Sequence, residues 1–174
     1  SRGIEVERLT VPGQPAGVAV SQGLKSVFTV SPESKTVRRY GLMPQAPKAE
    51  LHLEGGPMGI AVDDRRQRVF VSDWYNARVW VLASDTLELR TTLRTGSAPA
   101  GLALSPDGKW LAMDLQGSLW IVPAKGGKAV RITDYFNDAF QLDFTTPPTA
   151  PADTDNDGMP NDWETTNGLN PNVQ

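Results

Sequence analysis

Between residues 15 and 133 apolar positions come in short runs separated by Ser, Asp, Asn, Gly and Pro, and no run keeps helical spacing before residue 150. Val27-Phe28-Thr29-Val30, Val69-Phe70-Val71-Ser72 and Trp110-Leu111-Ala112-Met113 are rich in β-branched and aromatic side chains, as are Thr36 to Tyr40, Arg78 to Leu82 and Ser118 to Val122. Such runs predict short strands. Ala49 to Leu53, Leu89 to Leu93 and Ala129 to Thr133 alternate apolar and polar residues, the pattern of a half-exposed strand. Ser31-Pro32-Glu33-Ser34, Asp63-Asp64-Arg65-Arg66, Ser105-Pro106-Asp107-Gly108 and Gly126-Gly127 supply turn chemistry between them.

The strands belong to a repeat. Pro15-Ala-Gly17-Val-Ala-Val20 returns as Pro57-Met-Gly59-Ile-Ala-Val62 and as Pro99-Ala-Gly101-Leu-Ala-Leu104, at two intervals of 42 residues. Each unit carries four strands, and four antiparallel strands per unit of about 40 to 50 residues is the sequence signature of a β-propeller blade. Blades are expected near 15–53, 57–95 and 99–133.

The residues from Pro57 to Asp63 and from Val69 through Asp73-Trp-Tyr-Asn76 to Val79 resemble an NHL or YWTD-type blade, and Ser105-Pro-Asp-Gly-Lys109 resembles the YVTN and TolB-like group. The resemblance covers roughly residues 4–145. It implies the fold and leaves the activity open, because propellers of these kinds serve as lactonases, dehydrogenase subunits, lyases, receptors and scaffolds.

Ile4 to Val11 aligns through Leu9 with Leu51 and Leu93 and predicts the outermost strand of a preceding blade. Phe140-Gln-Leu142-Asp-Phe144 matches the innermost strand of a further one, before Pro147, Pro148 and Pro151 end the sheet. The expected class is therefore all-β, with three four-stranded antiparallel blades plus one strand at each end (4–11 and 140–144). Propellers usually have about four to eight blades, so this is an incomplete ring with exposed edges. Residues 1–145 read as the C-terminal half of a propeller, completed by another chain, by a cleaved fragment or by a second copy in a homodimer; an open array of blades is the alternative.

Composition changes the picture at the end of the chain. The formal charge of −3 conceals an asymmetry: residues 151–174 hold five acidic residues and no Lys or Arg, which leaves 15 acidic against 17 basic residues before them. No basic stripe is present, which argues against nucleic acid. The lack of cysteine excludes disulfides, thiolate catalysis, thiolate zinc sites and c-type haem attachment. No run approaches the roughly 18 apolar residues of a membrane span.

The acidic residues have a spacing. Asp153-Thr-Asp155-Asn-Asp157-Gly158-Met159-Pro160-Asn161-Asp162-Trp163-Glu164 follows the D-x-D-x-D-G-x₅-E pattern of a calcium loop. Calcium takes about six to eight oxygen ligands. Asp153, Asp155 and Asp157 would supply carboxylates, Met159 its backbone carbonyl, Asn161 a direct or water-mediated contact, and Glu164 both carboxylate oxygens. Gly158 allows the sharp turn. Without a cation the clustered carboxylates would repel one another and raise their own pKa values. Asn161 to Asn167 predicts a helical turn that Gly168 ends. No helix is expected before the loop, only the Pro-rich linker 146–152, so residues 153–174 resemble a thrombospondin type 3-like repeat of bacterial secreted and surface proteins; Asn167-Gly-Leu-Asn-Pro171 fits its ending. The millimolar calcium outside cells suits such a loop, so the expected location is extracytoplasmic: secreted, cell-surface or periplasmic.

Asp73, Trp74, Tyr75, Asn76 and Asp114 are the candidates for a partner-contact surface on the ring face shared with the loops before Gly17, Gly59 and Gly101. For the aromatic pair, blade packing and an Asx-type turn remain an equal reading. His52, the one histidine, falls on an outermost strand and reads as surface, while Trp80, Trp110 and Trp120 read as core. No G-x-S-x-G, P-loop or HExxH motif is present. The chain alone therefore reads as a non-catalytic binding or scaffold component with a structural calcium repeat. The alternative is a non-catalytic part of a propeller enzyme, a lactonase-like hydrolase or periplasmic dehydrogenase, whose catalytic residues lie elsewhere.

Overall fold

Alternating strands of five to seven residues can bury both faces only if sheets stack against one another, and stacking is what the computed structural model shows. It describes residues 10–42 and 47–133. The chain divides into two units, Ser1–Asp143 and Phe144–Gln174, and the described residues all belong to the first. Among them are twelve strands and no helix.

The first blade contains β1 (Gly17–Ser21), β2 (Ser26–Ser31), β3 (Thr36–Gly41) and β4 (Pro47–His52); the second contains β5 (Pro57–Asp63), β6 (Arg68–Asp73), β7 (Arg78–Ala83) and β8 (Leu89–Arg94). The third contains β9 (Pro99–Leu104), β10 (Trp110–Leu115), β11 (Ser118–Pro123) and the short β12 (Val130–Arg131). Within each blade the strands lie in chain order and pair antiparallel. The fold is all-β and propeller-like, as the repeat predicts, and the described blades do not close a ring. Thr10 and Val11 are in no strand. The expected strand segments 4–9 and 140–144, the linker 146–152 and the calcium repeat 153–174 lie outside the described residues.

Side chains alternate between blade faces, and each junction between blades encloses its own core. The first junction holds Phe28, Val30 and Val37 from blade one against Ile60, Val69, Val71, Trp80 and Leu82 from blade two. The second holds Ala61, Phe70, Val79 and Val81 from the opposite face of blade two against Leu111, Met113 and Val122, with Leu102, Leu104 and Trp120 at its margin. Burying a side chain such as Phe70 or Leu111, both fully buried, contributes about 1.5–3 kcal/mol.

The first strands of neighbouring blades, β1 with β5 and β5 with β9, lie side by side. The Pro-x-Gly repeat exists for that approach. A Cβ at Gly17 would come 2.7 Å from the Met58 carbonyl oxygen, and one at Gly59 would collide with the carbonyl oxygen of Ala100. The hairpin turns repeat as well: Lys25, Lys35, Gln67 and Ala77, each next to or one residue before the returning strand, all have positive φ between 46° and 53°. Such residues cost energy in the left-handed region, and tertiary packing holds them there.

Candidate functional site

The β6–β7 hairpin supplies four of the five expected contact residues. Its last ladder pair sets Asp73 opposite Arg78, so a carboxylate and a guanidinium five residues apart meet across a tight turn. Asp73 is fully buried. Its carboxylate accepts hydrogen bonds from Gly56 N at 2.9 Å, Tyr75 N at 3.2 Å, Asn76 Nδ2 at 2.8 Å and Arg78 Nε at 2.7 Å. Burial by itself would raise the Asp73 carboxyl, but the Gly56 N–H, the Asn76 amide and the Arg78 guanidinium together hold it below the ordinary carboxylate range.

The same network ties the hairpin to the connection between blades one and two. Arg78 Nη2 donates to the Glu54 carbonyl at 2.7 Å, Trp74 N donates to Gly56 O at 2.9 Å, and the guanidinium lies 4.8 Å from the Trp80 ring centre. Gly55 and Gly56 leave room for this packing: a Cβ at Gly56 would stand 2.8 Å from the Tyr75 ring, and one at Gly55 would collide with the Asp73 carboxylate. The expected site residues thus separate into two roles. Asp73 turns inward and fixes the loop together with Asn76, whose amide donates to it, whereas Trp74 (40% exposed) and Tyr75 (69% exposed) face solvent.

Asp114 is not part of that loop. It lies near the end of β10 in blade three, 8% exposed, and accepts a hydrogen bond from Gly117 N at 2.9 Å. His52 is exposed at the end of β4, and Trp80 is buried. Trp110 departs from the sequence expectation. It is 44% exposed, because it opens β10 on the face turned away from blade two. Its counterpart 42 residues earlier is Arg68, not a tryptophan.

Arg78 is the residue that sequence reasoning missed. Its signal was present: Asp63 and Arg68 repeat the Asp-x₄-Arg spacing across the turn at the opposite end of blade two, where Arg68 Nη2 donates to Asp63 at 2.7 Å. That end also staples blades together. Arg68 Nη1 reaches the Ala124 carbonyl at 3.1 Å and Arg66 Nη1 the Asp107 carbonyl at 3.1 Å. Asp64 accepts from the Ser21 hydroxyl and from Gln22 N at 2.9 Å. In the turn of blade three, the Ser105 hydroxyl and the Lys109 backbone N–H hold the Asp107 carboxyl down to about 2.

Among the described residues no three His, Cys, Asp or Glu side chains are grouped to hold a metal ion, and no helix is long and apolar enough to cross a membrane. The calcium ligand set Asp153, Asp155, Asp157, Met159, Asn161 and Glu164 lies outside those residues.

Neither a protein-family model nor a curated protein matches the sequence. Among solved structures, the chain is similar to Kuenenia stuttgartiensis hydrazine synthase, with a TM-score of 0.65 at 17% identity over 78% of this chain and 41% of that one. The chain thus spans less than half the length of that neighbour, and at this identity the likeness is one of fold.

Proposed function

We propose that this chain contributes blades to a β-propeller that acts as an extracytoplasmic binding or scaffold module, with calcium held by its C-terminal repeat and further blades supplied by another chain or fragment. The observation that carries the binding role is the division of labour in the β6–β7 hairpin. A buried carboxylate with four donors spends its hydrogen-bonding capacity on immobilising a surface loop, and that loop exposes an aromatic pair. Rigid, partly exposed Trp and Tyr residues provide contact area at small entropic cost, as in the anchors of protein interfaces. Both residues lie in the turn after β6 and take no part in either junction core.

The donor chemistry of residues 153–164, three aspartates at alternate positions closed by Glu164, supports calcium rather than magnesium, which tolerates an all-protein oxygen cage poorly. The resemblance to thrombospondin type 3-like repeats and the need for millimolar calcium support a location outside the cytoplasm. The hydrazine synthase neighbour is an enzyme by its name, but a fold likeness at 17% identity carries no catalytic group to these residues.

The test is a panel of immobilised extracellular glycans and peptides probed with the wild-type chain and with a Trp74→Ala/Tyr75→Ala double variant. A ligand retained by the wild type and weakened about tenfold or more by the variant, at unchanged thermal stability, supports the reading. Equal binding by both proteins overturns this loop as the contact surface.

A further inference from the structure

The hairpin turns that follow the inner strands β1 and β5 are built alike. Leu24 N donates to the Ser21 hydroxyl at 2.9 Å, and 42 residues later Arg66 N donates to the Asp63 carboxylate at 3.1 Å. Lys25 and Gln67 then take the same left-handed conformation, with φ of 46° and 51°. At the first junction the turn of blade one is closed by an acid from its neighbour. The Asp64 carboxylate accepts from Gln22 N at 2.9 Å, from Gly23 N at 3.2 Å and from the Ser21 hydroxyl. Hydrogen bonds from successive backbone N–H groups to an ionised carboxylate are about twice as strong as neutral ones.

At the second junction that acid is missing. The repeat sets Pro106 where Asp64 stands. The counterparts of Gln22 N and Gly23 N are the N–H groups of Asp64 and Arg65, which have no acceptor among the described residues. Arg66 bridges the two turns through the Asp107 carbonyl and leaves those N–H groups unmet. Beside them is an open cleft of about 240 Å³, with Val62, Asp64 and Arg65 on one side and Leu104, Ser105 and Pro106 on the other. Val62 and Leu104 are half-buried and give it apolar walls. The neighbouring carboxylates are spent: Asp63 on Arg66 and Arg68, Asp64 on the turn of blade one, and Asp107 on the Ser105 hydroxyl and Lys109 N. Arg65 is exposed and forms no ion pair among the described residues.

We infer that this cleft binds an organic carboxylate. The N–H groups of Asp64 and Arg65 donate to its oxygens, the Arg65 guanidinium balances its charge, and a short apolar body lies on Val62, Leu104 and Pro106. The first junction is the precedent within the molecule, since a carboxylate holds the same two positions of the same turn there. The cleft is at the end of blade two opposite the Trp74 and Tyr75 loop, and it stands independently of the contact surface proposed there. A free acid and the C-terminus of a peptide both offer this chemistry.

The experiment is an amide-resolved NMR titration of the whole 174-residue chain with sodium butyrate, against sodium chloride at equal ionic strength. The N–H signals of Asp64 and Arg65 are expected to move and saturate with butyrate alone, while those of Gln22 and Gly23, already held by Asp64, stay in place. Arg65→Glu, at an exposed position, is expected to weaken binding about tenfold or more. Asp64→Ala vacates the turn of blade one, so butyrate is then expected to move Gln22 and Gly23 as well. Acetyl-trialanine separates the sources: binding about tenfold or more tighter than butyrate names a peptide C-terminus, and binding no tighter names a free acid. The inference is overturned if chloride acts on Asp64 and Arg65 as butyrate does, or if Arg65→Glu binds as the wild type does. Movement of Gln22 and Gly23 in Asp64→Ala, with none at Asp64 and Arg65 in the wild type, overturns it too. So does inorganic phosphate that displaces butyrate at about a tenth of its concentration, which would make the ligand a tetrahedral anion.

Discussion

At the scale of single residues, the chain spends carboxylates on geometry. Asp73 is surrounded by donors that were chosen by fold rather than by sequence neighbourhood, since Gly56 precedes it by 17 positions. With its folded pKa lowered from 3.8, Asp73 contributes stability that is complete above the unfolded value and is lost as the pH falls through the folded one. Asp73→Ala leaves Arg78 and the Gly56 N–H without their partner and is expected to cost about 3 kcal/mol at pH 7. In urea titrations repeated down the pH scale, the gap between wild type and variant should close below pH 3.8. A gap that is constant with pH would show that the carboxylate charge is not what the donors recognise. The sequence marked this residue as chemically special and assigned it to a surface, because one-dimensional spacing cannot tell an exposed turn aspartate from one whose donors arrive from the preceding blade connection.

At the scale of elements, the inner strands are set by how closely two backbones pass. Gly59 gives the sharpest case, since a side chain there meets the Ala100 carbonyl, which belongs to a paired strand and cannot yield cheaply. Gly59→Ala is expected to destabilise the chain by about 2 kcal/mol, in the range of overpacked cores. Gly23→Ala is the control, because its nearest neighbour would be Asp64 at an ordinary 3.6 Å, and its effect should stay within about 0.5 kcal/mol. Denaturant midpoints measure both. Equal effects at the two sites would refute the close-approach explanation of the Pro-x-Gly repeat. Strand type and number per blade were legible because alternation and turn chemistry are local, and the Pro-x-Gly recurrence was legible because the same approach is made at each junction. The difference between Trp80 and Trp110 was not: both lie on strands, and only the register decides which faces a neighbouring blade.

At the scale of the whole molecule, the division at Asp143 and Phe144 separates the blade unit from the segment that carries the calcium spacing. If calcium is held by Asp153 to Glu164 as proposed, a chelator should expose residues 153–174 to protease while the blades keep their melting temperature. Limited proteolysis read by mass spectrometry, beside calorimetry of the same samples, makes the comparison. Cleavage that is indifferent to calcium would remove the metal from the proposal, and a shift in blade melting would show that the two units depend on one another.

The 42-residue recurrence by itself determined that this protein is built of four-stranded blades, because each unit must alternate its side chains between two buried faces and can do so only by stacking on its like. The same one-dimensional regularity treats every unit as equivalent. Tertiary structure alone decided which faces are covered, which aspartate is buried and which tryptophan is exposed, since those depend on whether a neighbouring blade is present to exclude water and bring donors. Val18 and Ile60 occupy the same place in the repeat, and the presence of a blade against one of them is the whole of the difference.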